Sequence, residues 1–239
     1  MNAATSAGNK PSVAEMRGLT ARACEVARMA AAATEEGIGT GAALPLDFIR
    51  TCEEELDTLD RQINEGVTAA IPGTNEQDTR ELLFCLKFII DLERIGDLLL
   101  NVANRARTIS SRIDAQDTSD LKRMAQLLHQ MLADAEVSLR DRDLKRAVSI
   151  LRADAEMDRI RNLMFVRHVE NPEEKQHQES FHLVFMTQTL ERAGDHVKNL
   201  AEEVCHLVTG RSIRHLIREA DKPWEEMFLD WMRKQPPKR

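Results

Sequence analysis

The stretch LERIGDLLLNVA, residues 92–103, recurs with small changes as LERAGDHVKNLA, residues 190–201. Seven of the twelve positions carry the same amino acid, and the two copies begin 98 residues apart. The shared pattern is Leu-Glu-Arg-x-Gly-Asp-x-x-x-Asn-x-Ala. A repeat of this length and spacing indicates a duplicated chain in which each copy belongs to its own structural unit.

The composition of the chain favours an all-α protein. Its 239 residues are enough for two units of roughly 100–120 residues, each able to bury a core. Charged residues make up 31% and aromatic residues only 4%, tyrosine is absent, and there are only 10 glycines and 7 prolines. A sheet protein would be richer in aromatic and β-branched residues.

Charge and cysteine usage narrow the class of protein. A net charge of −7 argues against a nucleic-acid binder, which would present a basic face. Four scattered cysteines without a CxxC pair indicate reduced structural thiols. The N-terminus lacks the apolar region of a signal peptide, and the most apolar run, LLFCLKFII at 82–90, is too short to span a bilayer. We therefore expect a soluble cytoplasmic protein.

Apolar residues recur at helical spacing in six segments. The pattern predicts helices near 12–35, 46–68, 76–111, 118–140, 142–169 and 172–209. The Gly-x-Gly-x-Gly at 37–41 is interpreted as a flexible connection, because a phosphate-binding loop would follow a strand and carry a Lys. Short connections make neighbouring helices antiparallel, so residues 12–111 and 118–218 are each predicted to form a three-helix bundle.

Each copy of the repeated stretch, together with the residues that follow it, places oxygen-bearing side chains along one side of a helix. They lie within an arc of about 80° at 100° per residue. The third helix carries Glu93, Asp97, Asn101 and Asn104, and the sixth carries Glu191, Asp195, Asn199 and Glu202. The helix before each stripe carries an acidic pair at i,i+4, Glu53 with Asp57 and Asp154 with Asp158. An antiparallel hairpin can bring the pairs of each half face to face.

This density of carboxylates opposes folding, because like charges at i,i+4 destabilise a helix by roughly 0.2–0.5 kcal/mol per pair. Carboxylate and amide oxygens suit hard cations such as Mg²⁺, and bridging carboxylates suit multinuclear Fe, Zn or Mn centres. The alternative is a set of ordinary surface ion pairs with Arg61, Arg161 and Lys198, which follow acids by three or four residues. Four acidic pairs at matched positions of a repeat favour cation binding.

Gly96 and Gly194 occupy the same position of the two repeated stretches. A glycine inside a helix costs about 1 kcal/mol relative to alanine, so its recurrence needs a reason. Each lies about 60° from its glutamate on the helix, beside the acidic stripe. We expect a neighbouring helix to approach closely at both glycines.

With these residues the chain resembles the PhoU family of bacterial phosphate-uptake regulators. The family has an acidic-x-x-x-Asp pair on the second helix of each repeat and Glu-Arg-Ile-Gly-Asp-His-x-x-Asn-x-x-Glu on the third. LERAGDHVKNLAEEVCHLVTGRSIRH matches this closely, and RDRDLKRAVSILRADAEMD is similar to the family's entry to its fifth helix. The first repeat has Leu98 and Asn104 where the family has His and Glu. The resemblance spans about residues 12–218 and implies a weaker or empty first cluster.

The resemblance implies two three-helix bundles side by side with metal clusters on the carboxylate motifs. The implied ligands are Glu53, Asp57, Glu93, Asp97, Asn101, Asp154, Asp158, Glu191, Asp195, Asn199 and Glu202. It also implies a non-enzymatic role, as a cytoplasmic adapter between the ATPase of a phosphate-importing ABC transporter and a membrane sensor histidine kinase. Such an adapter keeps the phosphate-starvation response off when phosphate is plentiful, and it meets membranes only through its partners.

Two other functions fit parts of the pattern. Ferritin-like di-iron oxidases use Glu-x-x-His on two helices. Here Glu174/His177, Glu179/His182 and Glu203/His206 all fall on the sixth helix and cannot converge on one site. A carboxylate-bridged metal hydrolase stays open, although no separate nucleophile or base is evident. A regulator that works with a sodium–phosphate symporter is the second alternative.

Three single residues have both a functional and a structural interpretation. His196 is either a ligand or a surface histidine beside an acid. Arg94 and Arg192 could contact a partner, but they are rather expected to pack and form ion pairs that hold the acids in place.

The C-terminal segment, residues 221–239, lies outside the two predicted repeats and has an apolar pattern of its own. Pro223 can open a short helix, and the following apolar residues then share one face. These residues are Trp224, Met227, Phe228 and Trp231. We expect this helix to cover the chain's own bundle, with an interface for a homodimer or a membrane-bound partner as the alternative.

Overall fold

The computed structural model of the chain describes residues 11–40, 43–109, 113–170 and 177–210. These residues form six α-helices and contain no β-strand, which confirms the predicted all-α fold. The helices are α1 Val13–Thr40, α2 Ala43–Ala70, α3 Glu76–Ile109, α4 Ala115–Asp141, α5 Leu144–Phe165 and α6 His177–Thr209. A π-helical turn, Val166–Glu170, extends α5.

The helices of each half pack on one another: α1, α2 and α3 in the first half and α4, α5 and α6 in the second. The closest packing between the halves joins α1 to α4 and α3 to α6. Buried apolar side chains from all six helices form one continuous core. The two halves therefore make one body, and α2 and α5 are each held mainly by their own half. The exact boundaries of the two repeats stay a prediction, and residues 221–239 lie outside the described residues.

The prediction of a flexible connection at residues 37–41 is wrong for the part that the structure describes, because α1 continues to Thr40. Gly37 is needed for packing. A Cβ atom there would lie 2.5 Å from Leu46 Cδ2 and 3.7 Å from Pro45 Cβ. The missing side chain lets the beginning of α2 pack directly on the end of α1.

A buried polar network fixes one end of the second half. Asp117, in the first turn of α4, is 1% exposed. It accepts a hydrogen bond from Arg167 Nη1 at 2.7 Å, and His168 Nε2 lies 3.0 Å from the same carboxylate oxygen. His168 Nδ1 lies 3.2 Å from Ser180 Oγ on α6. The network joins the beginnings of α4 and α6 to the end of α5.

All four cysteines, Cys24, Cys52, Cys85 and Cys205, are free thiols in the core. This agrees with the interpretation of the cysteines as structural. In the described ranges, no helix has the length and apolar character needed to cross a membrane.

Candidate acidic metal sites

The first acidic cluster consists of Glu53 and Asp57 on α2 with Glu93 and Asp97 on α3. Burial, followed by the negative charges of Asp57 and Asp97, raises the pKa of Glu53. Burial, followed by the charge of Asp97, raises the pKa of Glu93. Carboxylates of both helices thus repel one another across the hairpin, and the two predicted pairs do face each other.

Little positive charge compensates this first cluster. Arg94 Nε lies 3.5 Å from a Glu93 oxygen, and Arg94 Nη1 lies 3.3 Å from an Asp97 oxygen. The Arg94 side chain is itself 58% exposed, so solvent screens both pairs. Among the described residues, neither Glu53 nor Asp57 forms a salt bridge. Arg61 donates to Thr58 Oγ1 at 3.3 Å rather than pairing with Asp57.

The second acidic cluster consists of Asp154 and Asp158 on α5 with Glu191 and Asp195 on α6. Burial raises the pKa of Glu191, with Arg161 opposing the rise. Burial and then the charge of Asp154 raise the pKa of Asp195. The second half therefore reproduces the facing carboxylate pairs of the first.

Two cations lie among the second cluster. Lys198 Nζ is 2.5 Å from an Asp154 oxygen and 3.9 Å from an Asp195 oxygen. Arg161 Nη2 is 2.8 Å from an Asp158 oxygen, and Arg161 Nε is 3.8 Å from a Glu191 oxygen. The expected ion pairs thus form in the second half and compensate its acids more than Arg94 compensates the first. This distribution of charge opposes the expectation of a weaker first cluster, which stays a prediction.

The remaining predicted ligands follow the facing carboxylates along α3 and α6. Asn101 is exposed on α3, Glu202 is half-buried on α6, and the Asn199 amide nitrogen donates to Asp91 on α3 at 3.2 Å. His196 Nδ1 lies 2.7 Å from the same Asp91 oxygen. Asp91 is thus a linking residue that the sequence analysis missed, because only the packing of α3 on α6 brings it to these partners.

The repeated glycines allow the acid-bearing helices to approach each other. A Cβ atom on Gly96 would lie 2.6 Å from Leu56 Cδ1, and one on Gly194 would lie 3.2 Å from Met157 Cε. Leu56 and Met157 occupy the same position between the two acids of their pairs. The predicted close approach at both glycines is confirmed, and it sets the spacing between the facing carboxylates.

The chemistry of the donors fits a cation, because both clusters offer oxygen atoms alone and both concentrate negative charge. In the part of the chain that the structure describes, no three metal-binding side chains already converge on one point. Binding of a metal ion would require the carboxylates to change rotamer, and in the second cluster it would also require Lys198 to leave Asp154.

The two Glu-x-x-His pairs of α6 that the structure describes, Glu179/His182 and Glu203/His206, do not form a common site. Glu203 accepts from Lys87 on α3 at 3.1 Å. His182 Nδ1 lies 3.4 Å from Arg105 Nη1, near the other end of α6. Glu174 lies outside the described residues. The described pairs are therefore separated along one helix, as the sequence predicts.

Comparison with known proteins identifies similarity to the PhoU domain and to proteins that contain it. The profile of the PhoU domain matches residues 47–106 and 121–204, more than half of the chain. A phosphate-specific transport system accessory protein PhoU homolog from Xylella fastidiosa is 31% identical over 170 residues, covering 70% of this chain and 71% of that protein. The homolog from Deinococcus radiodurans is 30% identical over 171 residues, covering 69% and 79%.

Solved structures agree in fold. The crystal structure of PhoU from Pseudomonas aeruginosa superimposes with a TM-score of 0.76 over 83% of this chain and 97% of that one, at 21% identity. PhoU from Streptococcus pneumoniae gives the same TM-score at 17% identity. The profile, the relatives and the duplicated helical fold with its paired acidic motifs lead to one conclusion: the chain belongs to the PhoU family.

Proposed function

We propose that this protein is a cytoplasmic adapter that links a phosphate ABC transporter to a sensor histidine kinase and keeps the phosphate-starvation response off when phosphate is plentiful. The observation that carries the proposal is the match to phosphate-specific transport accessory proteins over 70% of this chain at 31% identity. The family profile in addition matches residues in both halves of the duplicated fold.

The arrangement of the acidic clusters supports an adapter with two docking surfaces. One cluster lies on α2 and α3 and the other on α5 and α6, and one continuous core joins the halves. Two acidic surfaces held at a fixed separation can contact two partners at once. The role needs no chemical turnover, and the buried free thiols suit a reducing compartment such as the cytoplasm.

We propose further that both acidic clusters bind metal ions. Glu53, Asp57, Glu93 and Asp97 would hold an ion in the first half, and Asp154, Asp158, Glu191 and Asp195 would do so in the second. Bound Mg²⁺, Mn²⁺, Fe or Zn²⁺ would neutralise the facing carboxylates and hold each surface in one shape. Asn101, Asn199 and Glu202 are the outer members of the proposed ligand set.

A reporter of the phosphate-starvation response tests the regulatory role. In cells that lack the gene, grown in ample phosphate, we expect the reporter to be induced, and the intact gene should silence it again. A reporter that stays silent without the gene contradicts the proposal and favours a regulator of a sodium–phosphate symporter.

Charge-neutral variants test the role of the acidic clusters. Replacement of Asp154, Asp158, Glu191 and Asp195 by Asn or Gln should abolish repression while the protein still accumulates. The control is the pair Glu76→Gln and Asp78→Asn, two acids in the first turn of α3 that belong to neither acidic cluster. Full repression by the fourfold variant would show that metal binding by the second cluster is not central. Hydrolysis of phosphate esters by purified, metal-loaded protein would instead support the hydrolase alternative.

A further inference from the structure

An open groove runs between the first turns of α3 and the last turns of α6. It has a volume of about 260 Å³. Phe84 forms its buried floor, and Leu83 and Leu207 form apolar walls. Leu83 is 45% exposed although it is a large apolar side chain, so burying this groove against another apolar surface would be favourable.

The rim of the groove is mainly basic. Arg80 and Lys87 on α3 and His206 on α6 line it, with Glu203 as the acidic lining residue. Glu203 lies 3.1 Å from Lys87 Nζ and 3.9 Å from His206 Nδ1. Arg80 pairs with Glu76, whose side chain is 81% exposed, and solvent screens that pair. The groove therefore suits an apolar segment flanked by acidic residues.

The chain itself supplies such a segment close to the groove. Gly210 is one of the lining residues, and residues 211–239 follow it outside the described part of the structure. Trp224, Met227, Phe228 and Trp231 would share one face if residues 223–232 were helical. Glu225 and Asp230 would flank that face at about 100° and 240° from Trp224.

The connection is long enough for the segment to return to the groove. Thirteen residues, 211–223, separate Gly210 from Trp224. At roughly 3.3 Å per residue they could span about 43 Å, and the groove begins at Gly210 itself. Folding back therefore needs no stretching of the chain.

We propose that the groove between α3 and α6 is the docking site of this chain's own residues 223–232. The apolar face of the segment contacts Leu83, Phe84 and Leu207, and its flanking acids face the basic rim. The inference is independent of the proposed role in phosphate signalling.

The composition of the chain offers a direct test. Both tryptophans of the protein, Trp224 and Trp231, lie in the proposed segment, and the chain has no tyrosine. Intrinsic fluorescence excited at the indole band therefore reports on this segment alone. We expect the folded protein to emit at a shorter wavelength than the urea-unfolded protein and to be protected from quenching by acrylamide.

Two groove variants and one control make the test specific. Leu83→Glu places a charge in the apolar wall, and Arg80→Glu reverses the charge of the rim. Both should shift the emission towards that of the unfolded protein and increase quenching. Leu163→Glu is the control, because Leu163 on α5 is 47% exposed and lies towards the other end of the second bundle. It should leave the emission unchanged, and circular dichroism should show that all three variants are folded.

Three results would overturn the proposal. Emission of the wild-type protein that equals the emission of the unfolded chain would show a solvated segment. Emission that neither groove variant changes would place the segment elsewhere. Emission that shifts to longer wavelength on dilution would show that the tryptophans are buried against a second copy of the chain.

Discussion

His196 on α6 places its Nδ1 atom 2.7 Å from a carboxylate oxygen of Asp91 on α3. Asn199, one turn further along α6, donates to the same oxygen at 3.2 Å. Both residues belong to the repeated motif of the second half, and Asp91 directly precedes the repeated motif of the first. The second copy of the duplicated stretch is thus bonded to the residue that directly precedes the first copy.

This link should stabilise the protein measurably. Asp91→Ala leaves the half-buried His196 and Asn199 without their shared acceptor, so we expect it to lower the free energy of unfolding by about 1–3 kcal/mol. Urea unfolding followed by circular dichroism measures this loss. Glu76→Ala removes an exposed i,i+4 partner of Arg80 and should cost no more than about 0.5 kcal/mol. Equal losses from the two variants would contradict a specific role for Asp91.

The first acidic cluster should be destabilising without a cation. Burial and Asp97 raise the pKa of Glu93, so folding favours the protonated form. The pKa of a glutamate in the unfolded chain is about 4.3. Because the pKa of Glu93 is higher in the folded protein, the free energy of unfolding decreases as the pH rises from the unfolded pKa through the folded pKa. The loss of stability then persists at neutral pH. Glu93→Gln should therefore stabilise the chelator-treated protein at pH 7 by a few tenths of a kcal/mol, and this gain should vanish near pH 3.

Added metal should reverse the order of stability of the wild-type protein and the Glu93→Gln variant. If Glu93 is a ligand, Mn²⁺ or Zn²⁺ should raise the melting temperature of the wild-type protein more than that of Glu93→Gln, because a ligand that binds only the folded state stabilises it. Glu65→Gln, an exposed position on α2, is the control and should respond like wild type. An equal response of all three proteins would remove Glu93 from the ligand set.

The two repeated glycines should differ in their tolerance of alanine. At Gly96 a methyl group would lie 2.6 Å from the fully buried Leu56, whereas at Gly194 it would lie 3.2 Å from the flexible end of Met157. Overpacking costs about 1–3 kcal/mol, while alanine gains about 1 kcal/mol of helix propensity. We expect Gly96→Ala to destabilise and Gly194→Ala to be close to neutral in urea unfolding. A larger loss at Gly194 would contradict this account.

Stability should also fall in alkaline solution. Burial raises the pKa of Cys52 to about 11 and that of Cys205 to about 12, while thiols in the unfolded chain ionise near 8.5. Above that pH the unfolded state loses protons that the folded state keeps, so the free energy of unfolding decreases, by up to about 1.4 kcal/mol per pH unit for each thiol. Urea titrations at pH 8 and 10 should show that the free energy of unfolding decreases less between these pH values for Cys52→Ala than for wild type. Identical slopes would contradict the burial argument.

The sequence predicts the helices and the facing acidic pairs because both depend on local periodicity. The 3.6-residue period identifies six helices, and the fixed offsets of Glu93 and Asp97 from the glycine place them beside a close helix contact. The same local reasoning fails at Gly37. The glycines around it are typical of a loop. In the structure Gly37 is helical, and because it has no side chain, Leu46 of α2 can pack directly on α1.

Partners from distant parts of the chain could not be predicted in this way. Spacing suggests Asp195 as the partner of Lys198, but the ammonium group lies closer to Asp154, 44 residues away. The contact of Asp117 with His168 joins residues 51 positions apart and depends on how α5 ends. Such pairs follow from tertiary packing, which no pattern along a single helix specifies.

The helix α6 runs through 33 residues, or about 50 Å at 1.5 Å per residue. It carries Ser180 of the buried polar network at one end, the acids of the second cluster and the contacts to Asp91 in its middle, and the wall of the groove at its other end. A shift of this helix along its axis would displace all of these positions together. Binding events that favour different axial positions of α6 would therefore be thermodynamically coupled, and each would change the affinity of the other by the same factor.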